Sequence, residues 1–189
     1  MDPARDEVDD LDDLVARAQT GDDRAMDDLL ARLRPRVLRR CARFLPHAQD
    51  AEDAAQDAML AIATRLGDFA GRGSFLGWVT VIASNSARQT YRTMKRRFAE
   101  SAVGDLPDRP DARTTSVIAG SRIRLLEAVE ALGERHPETV EAFVLRDLGS
   151  LPYDEIAELT QAPLGTVKAR IHTARGFVRE TWGLDDGNF

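Results

Sequence analysis

The chain predicts an all-α fold: two small helical domains joined by a flexible linker. Three observations carry this expectation. Apolar residues recur at three- and four-residue spacing along most of the chain, the period of an amphipathic helix. Ala, Leu and Arg are abundant while aromatics make up only 6% of the 189 residues. Finally, residues 101–117 hold Gly104, Pro107 and Pro110 among small polar residues, with no periodic apolar face, which reads as a linker.

Taken in order, residues 1–10 are acidic, poor in apolar residues and expected to be disordered. Leu11, Leu14, Val15 and Ala18 begin a helical pattern that Thr20, Gly21 and Asp22 interrupt. Asp22 or Asp23 can cap the next helix, whose inward face would use Met26, Leu29, Leu30 and Leu33. Pro35 cannot donate within a helix, so a bend or a new start is expected near Arg34. Val37, Leu38, Cys41, Phe44 and Leu45 continue the apolar face until Pro46. Cys41 lies in this stripe and reads as a small core residue.

The stretch from Asp50 to Leu66 places Ala51, Ala55, Met59, Ile62 and Leu66 on a buried side. Asp53, Gln56, Asp57 and Leu60 fall on an adjacent face. Clustered carboxylates can serve metal or acid/base chemistry, but no histidine stands at matching spacing. A solvated face or a protein-docking face fits better.

Gly67 to Gly77 is a glycine-rich loop with Phe69 and Phe75; it lacks the order of a phosphate-binding loop. A long helix from Trp78 to Phe98 follows, apolar at first and basic in its second half through Arg88, Arg92, Lys95, Arg96 and Arg97. Aromatics in a loop beside a basic helix suit single-stranded nucleic acid, whose bases stack while cations follow the backbone. A basic helix end that offsets the helix dipole is the simpler alternative.

After the linker, helices are expected over Ile118–Leu132 and Thr139–Leu148, with Gly149 as a C-terminal cap. Tyr153 to Thr160 then forms a short helix, broken by Gln161, Ala162 and Pro163. In the helix that follows, Val167, Ile171, Ala174 and Val178 make one stripe. Its other side carries Gly165, Ala169, Thr173 and Gly176, flanked by Lys168, Arg170, His172 and Arg175, with no acid from Leu164 to Arg179. A helix-turn-helix with a small-residue face and flanking cations fits a DNA major groove.

Charge and composition narrow the classes. The net charge of −6 argues against a protein that coats nucleic acid indiscriminately. It is also segregated: eleven acids lie in residues 1–28, and six arginines with no acid in residues 29–48. One cysteine allows no internal disulfide, and His47, His136 and His172 are too scattered for a metal motif. No signal peptide is legible, and no apolar run approaches the ~18–20 residues that span a bilayer. A cytoplasmic, non-enzymatic protein without cofactor or metal is the expectation.

The order of these motifs resembles the extracytoplasmic-function (ECF) group of the sigma-70 family, bacterial initiation factors for RNA polymerase. DAEDAAQDAMLAIATRL resembles that family's polymerase-docking helix. FAGRGSFLGWVTVIASNSARQTYRTMKRR resembles its segment that melts and reads the promoter −10 element, and PYDEIAELTQAPLGTVKARIHTAR its −35-reading helix-turn-helix. The resemblance implies two domains, residues 11–100 and 118–182, with a tail at 183–189.

It further implies that Asp53, Gln56, Asp57 and Leu60 meet the clamp of the polymerase's largest subunit, with further contacts at the flap. Arg72, Gly73, Ser74 and Phe75 would accept a flipped base above Trp78. Asn85, Arg88, Arg92, Lys95 and Arg96 would hold the opened strand. Thr166, Lys168, Ala169, Arg170, His172, Thr173 and Arg175 would serve −35 duplex binding. An anti-sigma factor is an expected further partner, and no membrane insertion is expected. Gly77 replaces a larger residue of the family pattern, Ser84 a common arginine, and Thr173 another. An autonomous helix-turn-helix repressor and a carboxylate enzyme centred on Asp50, Glu52, Asp53 and Asp57 are the alternatives.

Overall fold

The computed structural model describes residues 3–101 and 117–182, with side chains described for 10–97 and 123–182. The expected linker and the tail from Gly183 therefore lie outside the described residues, apart from helix ends at Ser101 and Val117. Among the described residues the chain forms α-helices and short helical turns, without a strand.

Helix α1 spans Pro3–Gln19 and starts inside the acidic stretch expected to lack order. Proline suits a first helical turn because its missing N–H is not needed there. Carboxylates near a helix start are also favoured by the dipole. Helix α2, Asp23–Phe44, is capped by Asp22, whose carboxylate accepts from the N–H groups of Arg24 and Ala25. The Arg17 guanidinium, and next the Ala25 N–H, hold that carboxyl below its ordinary pKa.

No new helix starts near Arg34. Pro35 lies inside an unbroken α2. It is exposed, while Leu29, Leu33, Val37 and Cys41 keep one buried stripe running past it. Burying each such side chain is worth roughly 1.5–3 kcal/mol, which outweighs the ~3 kcal/mol proline penalty.

Helix α3, Ala48–Arg65, buries Ala51, Ala54, Ala55, Ala58 and Ile62 against α2 and α4. Helix α4, Phe75–Ser101, begins earlier than expected because Ser74 caps it: the Gly77 N–H donates to Ser74 Oγ at 2.9 Å. The glycine-rich loop is thereby shortened to the residues around Gly71 and Gly73, both at positive φ (69° and 65°).

In the second half, α5 spans Val117–Arg135 and α6 spans Pro137–Phe143. The expected α-helix to Leu148 instead widens into a π turn over Val144–Leu148. Gly149 does cap it, but in right-handed geometry (φ −82°), and the left-handed residue is Ser150. The wider turn moves the chain reversal one residue on. Gly149 is needed for close approach, since a Cβ there would stand 2.1 Å from the Leu145 carbonyl oxygen. Helices α7 (Tyr153–Thr160) and α8 (Leu164–Trp182) complete the fold, with Gln161 left-handed between them at φ 52°.

Two apolar clusters hold these elements. The larger joins α1 to α4 with Leu126, Val129, Leu132, Val140, Phe143, Val144 and Ala174 of the second half. The smaller gathers Leu145, Leu151, Ile156, Val167 and Ile171 beneath the helix-turn-helix.

Cys41 is fully buried, and burial pushes its thiol up to about 11. Burial also raises Tyr91, to about 12, with Glu127 and Glu130 adding to the effect. Both groups keep a proton in the folded chain that the unfolded chain releases at lower pH. Folding stability should therefore fall as pH rises from 9.0, the ordinary thiol value, toward about 11. Iodoacetamide at neutral pH should leave Cys41 unmodified in the native protein and alkylate it in denaturant; equal labelling in both states would contradict this burial.

Candidate nucleic-acid and protein interface

The rotation of α3 is set by its alanine stripe, which faces inward. That leaves Asp53, Gln56, Asp57 and Leu60 together on the exposed side. Leu60 is 66% exposed, while the neighbouring Ile62 is fully buried. Gln49 Nε2 donates to Asp53 Oδ1 at 3.1 Å, steadying one carboxylate. Beside Gln56, a groove between α2 and α3 is lined by Leu30, Leu38 and Met59. Sequence reasoning missed this groove, because an apolar residue at the edge of a stripe carries the same pattern as one in the core. No group of three potential ligands for a metal ion occurs among the described residues.

The loop before α4 is built on aromatics. Phe69 and Phe75 meet edge to face with centroids 5.3 Å apart, and Phe75 stacks on Trp78 at 5.8 Å. Gln19 Nε2 ties the loop to α1 by donating to the carbonyls of Leu66 and Phe69, both at 2.9 Å. Phe75 is buried and opens α4, so it forms the wall of the loop, with Trp78 partly buried beside it. Arg72 and Ser74 are exposed at the rim, and Gly73 is half-buried.

Along α4, Asn85, Arg88, Arg92, Lys95 and Arg96 follow at helical spacing on one side. Asn85, Arg92, Lys95 and Arg96 are exposed; Arg88 is only 13% exposed at its side chain. Arg88 and Arg92 both turn to Glu130 of α5, Arg92 Nε lying 2.6 Å and Arg88 Nη2 3.6 Å from its carboxylate oxygens. Burial first, and then the nearby Arg92, lowers the Arg88 pKa, with Glu130 opposing both.

On α8, Val167, Ile171 and Ala174 are buried, as the apolar stripe requires. The opposite face is open: Gly165, Lys168, Ala169, His172, Thr173 and Gly176 are exposed, and a Cβ on Gly165 or Gly176 would meet nothing within 4 Å. Thr166 and Arg170 are partly buried at its margin. Arg175 is held by Asp147, donating from Nη2 and Nε to Oδ1 at 2.7 and 3.0 Å. That hydrogen-bonded pair raises the Arg175 pKa and points its guanidinium back onto the π turn.

Three faces are thus open to partners, on α3, on the α4 loop and helix, and on α8, and a cavity lined by Asp53 and Asp57 of α3 and Gln89, Thr93 and Arg97 of α4 joins the first two. No helix of the described residues is long and apolar enough to cross a membrane.

Comparison with known proteins shows the family. Residues 29–97 match the family model described as Sigma-70 region 2, and residues 123–178 match Sigma-70, region 4. The RNA polymerase sigma-H factor of Pseudomonas aeruginosa is 34% identical over 171 residues, covering 86% of this chain and 88% of that protein. The ECF RNA polymerase sigma-E factor of Escherichia coli is 30% identical over 174 residues, again covering 86% and 88%. Among solved structures, CnrH in complex with the cytosolic domain of CnrY matches with a TM-score of 0.56 at 24% identity. That match covers 92% of this chain and 97% of the other, and establishes the likeness of fold. The chain belongs to the extracytoplasmic-function group of the sigma-70 family.

Proposed function

We propose that this alternative sigma factor directs initiation through three separate contacts. The α3 face around Leu60 docks on core RNA polymerase at the clamp of its largest subunit, and the second half meets the flap. The α4 loop and helix hold the non-template strand of the −10 element, and α8 reads the −35 duplex. The observation that carries this reading is the exposure of Leu60 on the polar face of Asp53, Gln56 and Asp57. Gln56 joins that face to the groove lined by Leu30, Leu38 and Met59, and contiguous apolar surface rimmed by polar groups suits a protein-docking surface.

Strand holding follows from electrostatics. Asn85, Arg92 and Lys95 lie at helical spacing on one helix, so successive phosphates can be met along it once Arg92 exchanges Glu130 for a phosphate. A base leaving the stack loses a few kcal/mol, offset by contacts at the Arg72–Ser74 rim and the aromatic wall. Because those contacts exist only with the base out, the domain favours melted DNA over duplex. Asp53 and Asp57 serve here as docking groups and perform no chemistry. An anti-sigma factor that covers these faces is a further partner in this reading.

Permanganate oxidation of unpaired promoter thymines tests the strand-holding reading. In holoenzyme carrying Arg92→Ala and Lys95→Ala, both exposed positions, thymine reactivity should fall about tenfold or more, since each charge-assisted contact is worth roughly 1.5–3 kcal/mol. Polymerase binding should stay intact. Unchanged thymine reactivity would count against it.

A further inference from the structure

The acid-free arginine run of residues 29–48 has no part in the three contacts proposed above. On α2 it forms a face. Arg36, Arg39, Arg40 and Arg43 recur at i, i+3, i+4 and i+7, so they share one side of the helix. That side lines a cavity of about 390 Å³. The second wall is the start of α4 with Ser74 before it, and the third is the chain reversal from Gly149 to Pro152.

The four arginines divide by task. Arg40 is partly buried and donates to the carbonyls of Leu148 and Gly149, the latter from Nη2 at 2.8 Å. Carbonyls at a helix end lack partners within the helix, and a guanidinium supplies them. Arg40 therefore ties the third wall to α2. Arg36, Arg39 and Arg43 are exposed, and no carboxylate among the described residues pairs with them. Glu155 is the only acid among the lining residues, and it is engaged, accepting from Ser74 Oγ. Burial first, then Arg43 and Arg36, lowers the Arg40 pKa, so the cations repel one another across this face.

We propose that this cavity binds a small molecule carrying linked phosphate groups, either an inorganic oligophosphate or the phosphate tail of a nucleotide. Guanidinium forks match phosphate oxygens in pairs, and charge on both sides strengthens the bonds. From Arg36 to Arg43 the helix rises about 10 Å, beyond the reach of one phosphate and suited to two or three in a row. A cavity of this volume, walled on three sides, fits a small ligand better than a continuing strand. The net charge of −6 opposes long-range attraction of an anion, so binding depends on a local cluster of cations.

Isothermal titration calorimetry of the full chain, in magnesium-free buffer at about 0.15 M salt, tests the site with tripolyphosphate and with ATP. Both should bind. Arg36→Ala with Arg39→Ala should weaken each by about tenfold or more, because the lost contacts are charge-assisted. Both positions are exposed, so circular dichroism should show the helices intact. If that pair disturbs folding, Arg39→Gln alone reads the same contact, with a loss of about threefold or more. The control, Arg24→Ala with Arg34→Ala, removes equal charge from exposed positions of α2 outside the cavity and should leave affinity unchanged. Tighter binding of ATP than of tripolyphosphate would assign the site to a nucleotide, and equal binding to the phosphate chain alone. No binding by the parent, or equal weakening by the control pair, overturns the proposal. A single-stranded oligodeoxynucleotide titrated in parallel separates the remaining case. If it needs Arg36 and Arg39 while tripolyphosphate does not, the arginines are a strand contact and the small-molecule site falls.

Discussion

Leu60→Glu is expected to abolish stable binding to core RNA polymerase while leaving the helices intact. Leu60 sits 66% exposed in mid α3, whose buried alanines carry the packing, so the side chain contributes little to folding. In the proposed docking reading a partner covers it. A central apolar anchor at a protein interface is commonly worth ~2 kcal/mol or more, and a charge in its place adds a desolvation cost. Affinity should therefore fall by at least about thirtyfold. Native gel shift of core polymerase with variant and parent protein, alongside circular dichroism, reads this. Full binding by a folded variant would remove α3 from the docking surface.

A carboxylate in the centre of the α8 face should have a comparable effect on promoter recognition. Ala169 is exposed between Lys168 and Arg170, with Gly165, Thr173 and Gly176 on the same open side. Ala169→Glu inserts a strong helix former, so α8 should remain helical. Under the proposed −35 reading, its carboxylate would face phosphates and base edges. Transcription from promoters that depend on a −35 element should drop about a hundredfold, with polymerase binding retained. Unaltered transcription would place the recognition surface elsewhere.

Much of the fold was legible because helical periodicity and caps are local. The α7 and α8 helices, the turn at Gln161 and the cap at Asp22 follow from residues within a few positions of one another. The new helix start offered at Pro35 does not occur, for the complementary reason. Proline weakens a helix locally, but the stripe from Leu29 to Cys41 is anchored by other helices, which no local rule registers. The π turn at Val144–Leu148 was also invisible, since nothing in those residues departs from an ordinary helix.

Within the candidate sites, exposed residues such as Asp53, Lys168 and His172 stand where helical spacing puts them. Phe75 illustrates the limit. An aromatic in a glycine-rich loop reads as available for stacking, whereas here it is buried against Phe69 and Trp78. The contacts of Glu130 and Glu155 with the first half join residues 38 and 81 positions apart, and no sequence pattern carries them.

In-vitro transcription with purified core polymerase, with and without this protein, on promoter-containing DNA fragments from its source tests the central claim most directly. Initiation that depends on the protein, at start sites sharing one −35 and −10 pair, is the predicted result. Core polymerase that neither binds the purified protein nor initiates with it, in the absence of any anti-sigma factor, would contradict the account.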